Sequence, residues 1–438
     1  MSKSNKKDFQ VAVIGGGVCG LACAIALQNA GVSVEIFEAA AAFGEVGAGI
    51  GIGPNAVRAL KAMGPLDAVL GKLPPGSLSS KGFLFYSGLG DHQLVYDYPP
   101  AAEDASISMH RAVFLDALVG LVDPRYTHFN KRCTSISEHP ISPGKLVVHF
   151  QDGTSHEADV VLGADGVKSA VRDFVVGAGG AAVGAANEKH VAFSNTAAYR
   201  GIIPSALLRA AGFKTQLTDR PACFIGPDKH VIVVPIKNGE LINVAAFSAR
   251  YDIPIGSQNL PAGTPWVDEV SREDLKKEYD GWGSDITTLL CLMPEKTIRW
   301  SVHVVHPPLE SYAKGRVALL GDAAHAMLPH LGAGAGQGIE DALLLTRLLG
   351  HPDTCIANMQ AVLQTYSDIR RPRSQIVWDA SQRAGSVYDH HGPRGSTVQG
   401  LSEDLQDIWK PVWRYDLDAE FEQAVAKLRG NAAFARSE

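Results

Sequence analysis

Two stretches of this chain carry residues suited to holding a phosphate-bearing, electron-rich ligand, and they lie far apart. The first, "VAVIGGGVCGLACAIAL", contains Gly15-x-Gly17-x-x-Gly20. The second, "GDAAHAMLPHLGAGAGQGIEDALLL", runs from 321 to 345 and contains Asp322, His325, His330 and glycines at 332, 334, 336 and 338. In the first stretch Gly15 permits a tight turn. Gly17 lets the backbone approach a pyrophosphate, and Gly20 allows a helix to pack closely on a strand. The N-terminus of that helix offers free N–H groups and a partial positive charge. Glu38 ends the next apolar run, eighteen residues after Gly20, where an acid accepts hydrogen bonds from an adenosine ribose. This unit predicts dinucleotide binding without separating FAD from NAD(P).

The second stretch bears on that choice. Asp322 follows the apolar run "RVALL", where a carboxylate can meet sugar-like hydroxyls such as a ribityl chain. The glycines lead into a helix whose N-terminal amides and dipole favour negative charge. A reduced flavin bears such charge around N1 and the neighbouring carbonyl. Two turns from distant parts of the chain would then hold opposite ends of one cofactor. A third turn, in "DVVLGADGVKSAVR", places Asp165-Gly166 after a strand and Arg172 on the following helix.

Other chemistries find little support. "HVVH" at 303 to 306 lacks a third ligand nearby, and His390-His391 lies in a polar loop, so no metal site is expected. GxSxG is absent. The six cysteines are scattered without a CxxC, which predicts reduced thiols and a cytoplasmic location; Cys19 and Cys23 read as helix packing. With 40 Lys plus Arg against 46 Asp plus Glu, the net charge of −6 gives no basic field for nucleic acid and no polybasic membrane patch. The polar start "MSKSNKKDFQ" shows no secretory core. Val11 to Val34 is uncharged and long enough to span a bilayer. Its three glycines and Gln28-Asn29 instead read as a strand, a turn and a buried helix.

These turns need strands before them and helices behind. "FQVAVIG", "VSVEIFE", "ADVVLGADG" and "RVALLGDAA" read as buried parallel strands. Gly31 is placed to cap the first helix. "GAGGAAVGAAN" reads as a connector, and from about 188 to 300 short strands such as "AAYRGII", "HVIVVPI" and "LINVAAFSA" suggest an inserted antiparallel sheet. The expected fold is α/β: a Rossmann-like FAD-binding domain, an inserted antiparallel-sheet substrate domain and a helical C-terminus. The FAD-binding domain is assigned to 1–80, 105–187 and 296–360, the sheet domain to 81–104 and 188–295, and the helical region to 361–438.

The residues now on view carry a family resemblance. "GGGVCG", "GADG" and "GDAAHAMLP", in that order and spacing, resemble the three signatures of the single-component, class A FAD-dependent aromatic monooxygenases. "FEAAAAFGEVGAG", "GPNAVRA", "AYRG", "INVAAF" and "RRPR" are similar to its salicylate-hydroxylating branch. The resemblance implies that Gly15, Gly17, Gly20 and Glu38 hold the ADP half of FAD, with Arg111 in contact with the cofactor. It implies that Asp165 takes part in FAD and nicotinamide-nucleotide handling. Asp322 would bind the ribityl chain, and Gly332, Ala333, Gly334, Ala335 and Gly336 would lie against the flavin ring. It further implies NADH or NADPH as co-substrate, O2, and a flavin C4a-hydroperoxide that hydroxylates a phenolic acid. For salicylate the product would be catechol, with loss of carbon dioxide.

An aromatic acid needs a cation for its carboxylate. Arg200 and Arg250, both in the inserted sheet, are the candidates, since guanidinium pairs bidentately with carboxylate. His330 is the candidate acceptor or relay for the phenolic proton. His325 reads as a hydrogen-bonded core histidine. Cys223 and Val234 read as apolar pocket wall, Val234 standing where related phenol-dearomatising enzymes carry tyrosine. Alternatives are a hydroxybenzoate-type hydroxylase without decarboxylation, a flavin oxidoreductase that inserts no oxygen, and a non-catalytic FAD-binding protein. The expected partners are small molecules, and the expected assembly is a monomer or homodimer.

Overall fold

The computed structural model describes residues 7–44, 49–80, 82–99, 101–177, 189–217, 220–261 and 263–435. The β-branched, uncharged runs form a buried parallel sheet. Gln10–Ile14 lies at its centre, flanked by Ser33–Phe37 and Val160–Gly163; Val317–Leu319 pairs outside the latter. Both faces are covered, so these strands need no polar alternation. The helix Val18–Asn29 packs on this sheet, and Gly31 turns the chain back with a φ of +79°. The apolar run from Val11 is thus one strand and one buried helix. Among the described residues no helix is long and apolar enough to cross a membrane.

The second layer is an eight-stranded sheet. Most of its pairs are antiparallel, but Ala222–Gly226 runs parallel to Leu84–Ser87, so the sheet is mixed rather than purely antiparallel. The strand Lys296–Val305 pairs with Val191–Pro204 in this sheet. Its segment therefore belongs with the large sheet rather than with the 296–360 part of the FAD-binding domain. The expected connector lies, apart from Gly177, outside the described residues.

Period-two alternation gives the sheet two different faces. Tyr199, Val231, Val233, Val244 and Ala246 form a core with Leu275, Ile286 and Leu289 from two short helices. The register places Arg200 opposite Ala245, Val234 opposite Asn243, and Ile232 opposite both Ala245 and Cys223. These residues therefore share the other face. That face looks toward the glycine turn after Pro329 and the C-terminal helices.

The C-terminal region is anchored by buried charge. In the helix Met359–Tyr388, Arg370 Nε lies 2.7 Å from Asp341 and Nη1 2.8 Å from Glu340, with Glu420 at 2.9 Å. Arg373 adds a second contact to Glu340 at 3.0 Å. Burial opposes ionisation of Asp341, but His325 and Arg370 hold its carboxyl at about 2. His325 Nε2 donates to the Asp341 carboxylate over 2.6 Å inside the core, the structural place expected for it. Glu340 and Asp341 lie on the helix Gly334–Gly350, so this network fixes the helix that begins at the second glycine turn. Trp409 and Trp413 stack on each other at 5.2 Å and pack against the same region.

Candidate active site

The two distant turns meet in space. A Cβ on Gly338 would lie 2.1 Å from Cys19 Sγ, and one on Gly321 would lie 3.0 Å from it. The helix after the first fingerprint thus touches both ends of the second turn. Arg172 adds a tie from the third motif. Its buried guanidinium donates to the carbonyls of Ala323 at 2.9 Å, Val167 at 2.9 Å and Asp322 at 3.2 Å. Burial lowers its pKa to about 10, and Asp165 acts against that shift.

Whether FAD fits can be tested on the turns themselves. Gly15 has a φ of +104°, and a Cβ there would lie 2.4 Å from Ala164 O. A Cβ on Gly20 would lie 2.0 Å from Gly15 O, so strand and helix are in backbone contact. Around Gly17 no atom of the described residues lies within 4 Å of such a Cβ. The middle glycine therefore faces open space, as close approach of a pyrophosphate requires. Beside it is a cavity of about 240 Å³ lined by Gly15, Gly17, Glu38, Asp165 and Lys168. Glu38 holds the N–H groups of Gly16 and Ala40, each at 2.7 Å, which fixes its carboxylate at the cavity edge. Asp165 has a structural task at this wall. It accepts from Ser169 Oγ at 2.5 Å and from the N–H groups of Ala170 and Val171 at 2.7 and 3.2 Å.

The flavin end fits too. The helix Gly334–Gly350 starts at Ala333 without a side-chain cap or an acid in its first turn, leaving N-terminal amides for a ligand. Gly332 precedes it with a φ of +61°. Asp322 is exposed, and its carboxylate has no hydrogen-bond partner among the described residues; Oδ1 lies 3.9 Å from a Cβ placed on Gly334. Asp322→Ala is therefore expected to leave the apoprotein's melting temperature unchanged. It should weaken FAD binding by about 10- to 100-fold, the value of hydrogen bonds to a charged group, as read by fluorescence titration with FAD.

A second cavity, of about 220 Å³, opens beside that turn. Its wall includes Gly332, Ala333 and Gly336 on one side and Arg200, Cys223 and Val234 on the other. Phe247, Tyr388 and Trp409 make it largely apolar. Arg200 has no hydrogen-bond partner or counter-ion among the described residues. Burial lowers its pKa, and the neighbouring Arg111 cation lowers it further. Arg111 opens the helix Arg111–Val119, and its charge is also felt at Cys19.

Arg250, the other candidate for the carboxylate, is placed away from this cavity. It follows the strand Leu241–Ala249 and pairs with Asp252 at 2.8 Å, and the two side chains are 66% and 64% exposed. Alternation gives the reason. On this strand the cavity face carries odd-numbered residues, Asn243, Ala245 and Phe247, and Arg250 lies past the strand end on the other parity.

His330 is buried and lines the cavity, with Nδ1 3.3 Å from His230 Nε2. Burial, then the His230 imidazole, hold its pKa well below the ordinary histidine range, so it is neutral. The sequence reading missed His230 and Asn243. Both were accessible from the alternation that placed Val234: His230 lies four residues earlier on the same strand, and Asn243 faces Val234 across the ladder.

Comparison with known proteins agrees with this geometry. Residues 8–381 match the family model described as FAD binding domain. The chain is 39% identical over 432 residues to a salicylate hydroxylase of Pseudomonas putida, covering 97% of each. It is 33% identical to a 6-methylsalicylate 1-monooxygenase of Aspergillus terreus, covering 97% of this chain and 93% of the relative. A solved salicylate hydroxylase substrate complex superposes with a TM-score of 0.82 at 33% identity, covering 95% of this chain and 98% of that one. The chain belongs to this FAD-binding family. Within it, the chain is an FAD-dependent monooxygenase of the salicylate hydroxylase type.

Proposed function

We propose that this enzyme hydroxylates a phenolic aromatic acid, salicylate by preference, releasing carbon dioxide and forming catechol at the expense of NAD(P)H and O2. The observation that carries this reading is Arg200, a cation without a counter-ion among the described residues, in a largely apolar cavity that also holds the neutral acceptor His330. A benzoate carboxylate supplies the missing negative charge, and a bidentate pair fixes the ring's orientation. The ortho hydroxyl of salicylate can then meet the Nε2 side of His330. Removing its proton makes the ring electron-rich at the carboxylate-bearing carbon.

FAD, when bound, supplies hydride acceptance and oxygen activation. Gly15, Gly17, Gly20 and Glu38 would hold its ADP half beside Asp165, Arg111 would contact the cofactor, and Asp322 would take the ribityl hydroxyls. Gly332, Ala333, Gly334, Ala335 and Gly336 would bring backbone amides to the ring. Cys223, Val234, Phe247 and Trp409 keep water from the reacting carbon. Purified FAD-loaded protein should consume NAD(P)H faster when salicylate is added, with one carbon dioxide per catechol. NAD(P)H consumption indifferent to salicylate rejects the substrate, and a dihydroxybenzoate without carbon dioxide rejects decarboxylation.

A further inference from the structure

His330 does not end at its own ring. His230 Nδ1 lies 2.7 Å from Asp389 Oδ1, and the Tyr251 hydroxyl donates to Asp389 Oδ2 at 2.8 Å. The side chains of His230 and Asp389 are fully buried. Hydrogen-bond logic sets the direction of this chain. A carboxylate only accepts, so His230 directs an N–H from Nδ1 to Asp389 and, in its neutral form, presents Nε2 as an acceptor. His330 must then donate Nδ1–H to His230, which leaves His330 Nε2 as the acceptor nitrogen. Asp389, 159 residues from His230 in sequence, thereby selects the tautomer of a histidine it never touches.

We propose that Asp389 is a positioning residue and that, with His230, it forms a closed store for the phenolic proton during turnover. This rests on the reading that a phenolic acid occupies the Arg200–His330 cavity. The substrate O–H bond breaks as an N–H bond forms at His330 Nε2. The His330 Nδ1–H bond breaks as one forms at His230 Nε2. His230 becomes an imidazolium facing the Asp389 carboxylate, and no oxidation state changes. Oxygen transfer from the O2-derived oxidant to the carboxylate-bearing carbon, followed by loss of carbon dioxide, leaves a catecholate, and the same proton steps reversed return the proton to its oxygen. One proton leaves the substrate and one comes back, so the store needs no outlet to water.

The surroundings suit a transient cation on His230. Asp389 caps the C-terminus of the helix Met359–Tyr388, the negative end of its dipole. The nearby titratable groups Cys223, Tyr279 and Tyr388 have pKa values raised chiefly by burial and stay neutral. Burial keeps His390 neutral, whereas His391 is engaged by Asp228 at 2.7 Å near the surface. Tyr251, also kept protonated chiefly by burial, holds the second carboxylate oxygen and stacks on His391, closing the store toward solvent.

The test uses FAD-loaded Asp389→Asn with salicylate and with 5-nitrosalicylate, whose phenol is far more acidic. For salicylate kcat should fall at least about 100-fold, in the range of general acid–base contributions. Substrate affinity, read from the flavin spectrum, should be retained. The wild-type to variant ratio should shrink markedly for the nitro compound, which needs less help to ionise; a merely structural role would not move that ratio. Tyr251→Phe, which removes only one hydroxyl, should show the same pattern with a smaller loss and carries the test if the first variant loses FAD. Unchanged kcat, or equal losses for both substrates, overturns the store while wild-type turnover of salicylate leaves the functional reading intact. Wild-type protein that neither binds nor turns over salicylate overturns that reading and the store with it.

Discussion

Arg200→Ala should raise the dissociation constant of salicylate by at least about 30-fold, the lower end of the roughly 2–5 kcal/mol attached to truncating one partner of a buried charge pair. The flavin spectrum reports this affinity directly. The same variant should melt no lower than wild type. Arg200 is held in a largely apolar cavity with another cation, Arg111, as its charged neighbour. Without an anion it contributes desolvation and repulsion, not stability. Loss of affinity combined with unchanged or improved melting is the signature of a group held for its ligand. Arg250→Ala, by contrast, removes an exposed pair with Asp252 and should leave affinity alone. Equal losses in both variants would show that the cavity face has been misassigned.

Gly20→Ala should yield a colourless protein. The added Cβ would lie 2.0 Å from Gly15 O and 3.2 Å from Ala164 Cβ, and the first obstacle is backbone. No side chain can swing aside, so the helix Val18–Asn29 must shift and its amides leave the phosphate site. Overpacking of this kind costs about 1–3 kcal/mol or more. Gly17→Ala separates fold from cofactor. Its Cβ meets no atom of the described residues, so melting of the apoprotein should match wild type. FAD binding should still be lost if the pyrophosphate lies against that backbone. FAD content by absorbance and apoprotein melting together check the pair: Gly20→Ala fails both, Gly17→Ala only the first. Full FAD occupancy in Gly17→Ala would place the pyrophosphate elsewhere.

What could be read from the sequence was whatever local pattern determines. The strand–turn–helix at Gly15 to Asn29 follows from a β-branched run, glycines and a small-residue helix. The turn before Gly334 follows the same logic. Alternation also contained the cavity wall: even positions on Val191–Pro204 and Lys229–Ile236, odd ones on Ala222–Gly226 and Leu241–Ala249. Applied strictly, it would have kept Arg200, removed Arg250 and added His230. Asp389 is different. It joins His230 only because a thirty-residue helix ends against the sheet, a tertiary contact that no periodicity reports. The partners of Arg370 were hidden for the same reason. The strand Lys296–Val305 shows a further limit, since its apolar pattern suits either sheet and only pairing decides.

The central claim is that one FAD, held at both ends by the two turns, inserts oxygen into a phenolic acid anchored by Arg200. Turnover of salicylate with NAD(P)H under ¹⁸O₂, with mass analysis of the product, tests it most directly. The account predicts catechol carrying one labelled oxygen and one carbon dioxide released per catechol. Unlabelled product, or NAD(P)H oxidation that yields only hydrogen peroxide, would contradict it.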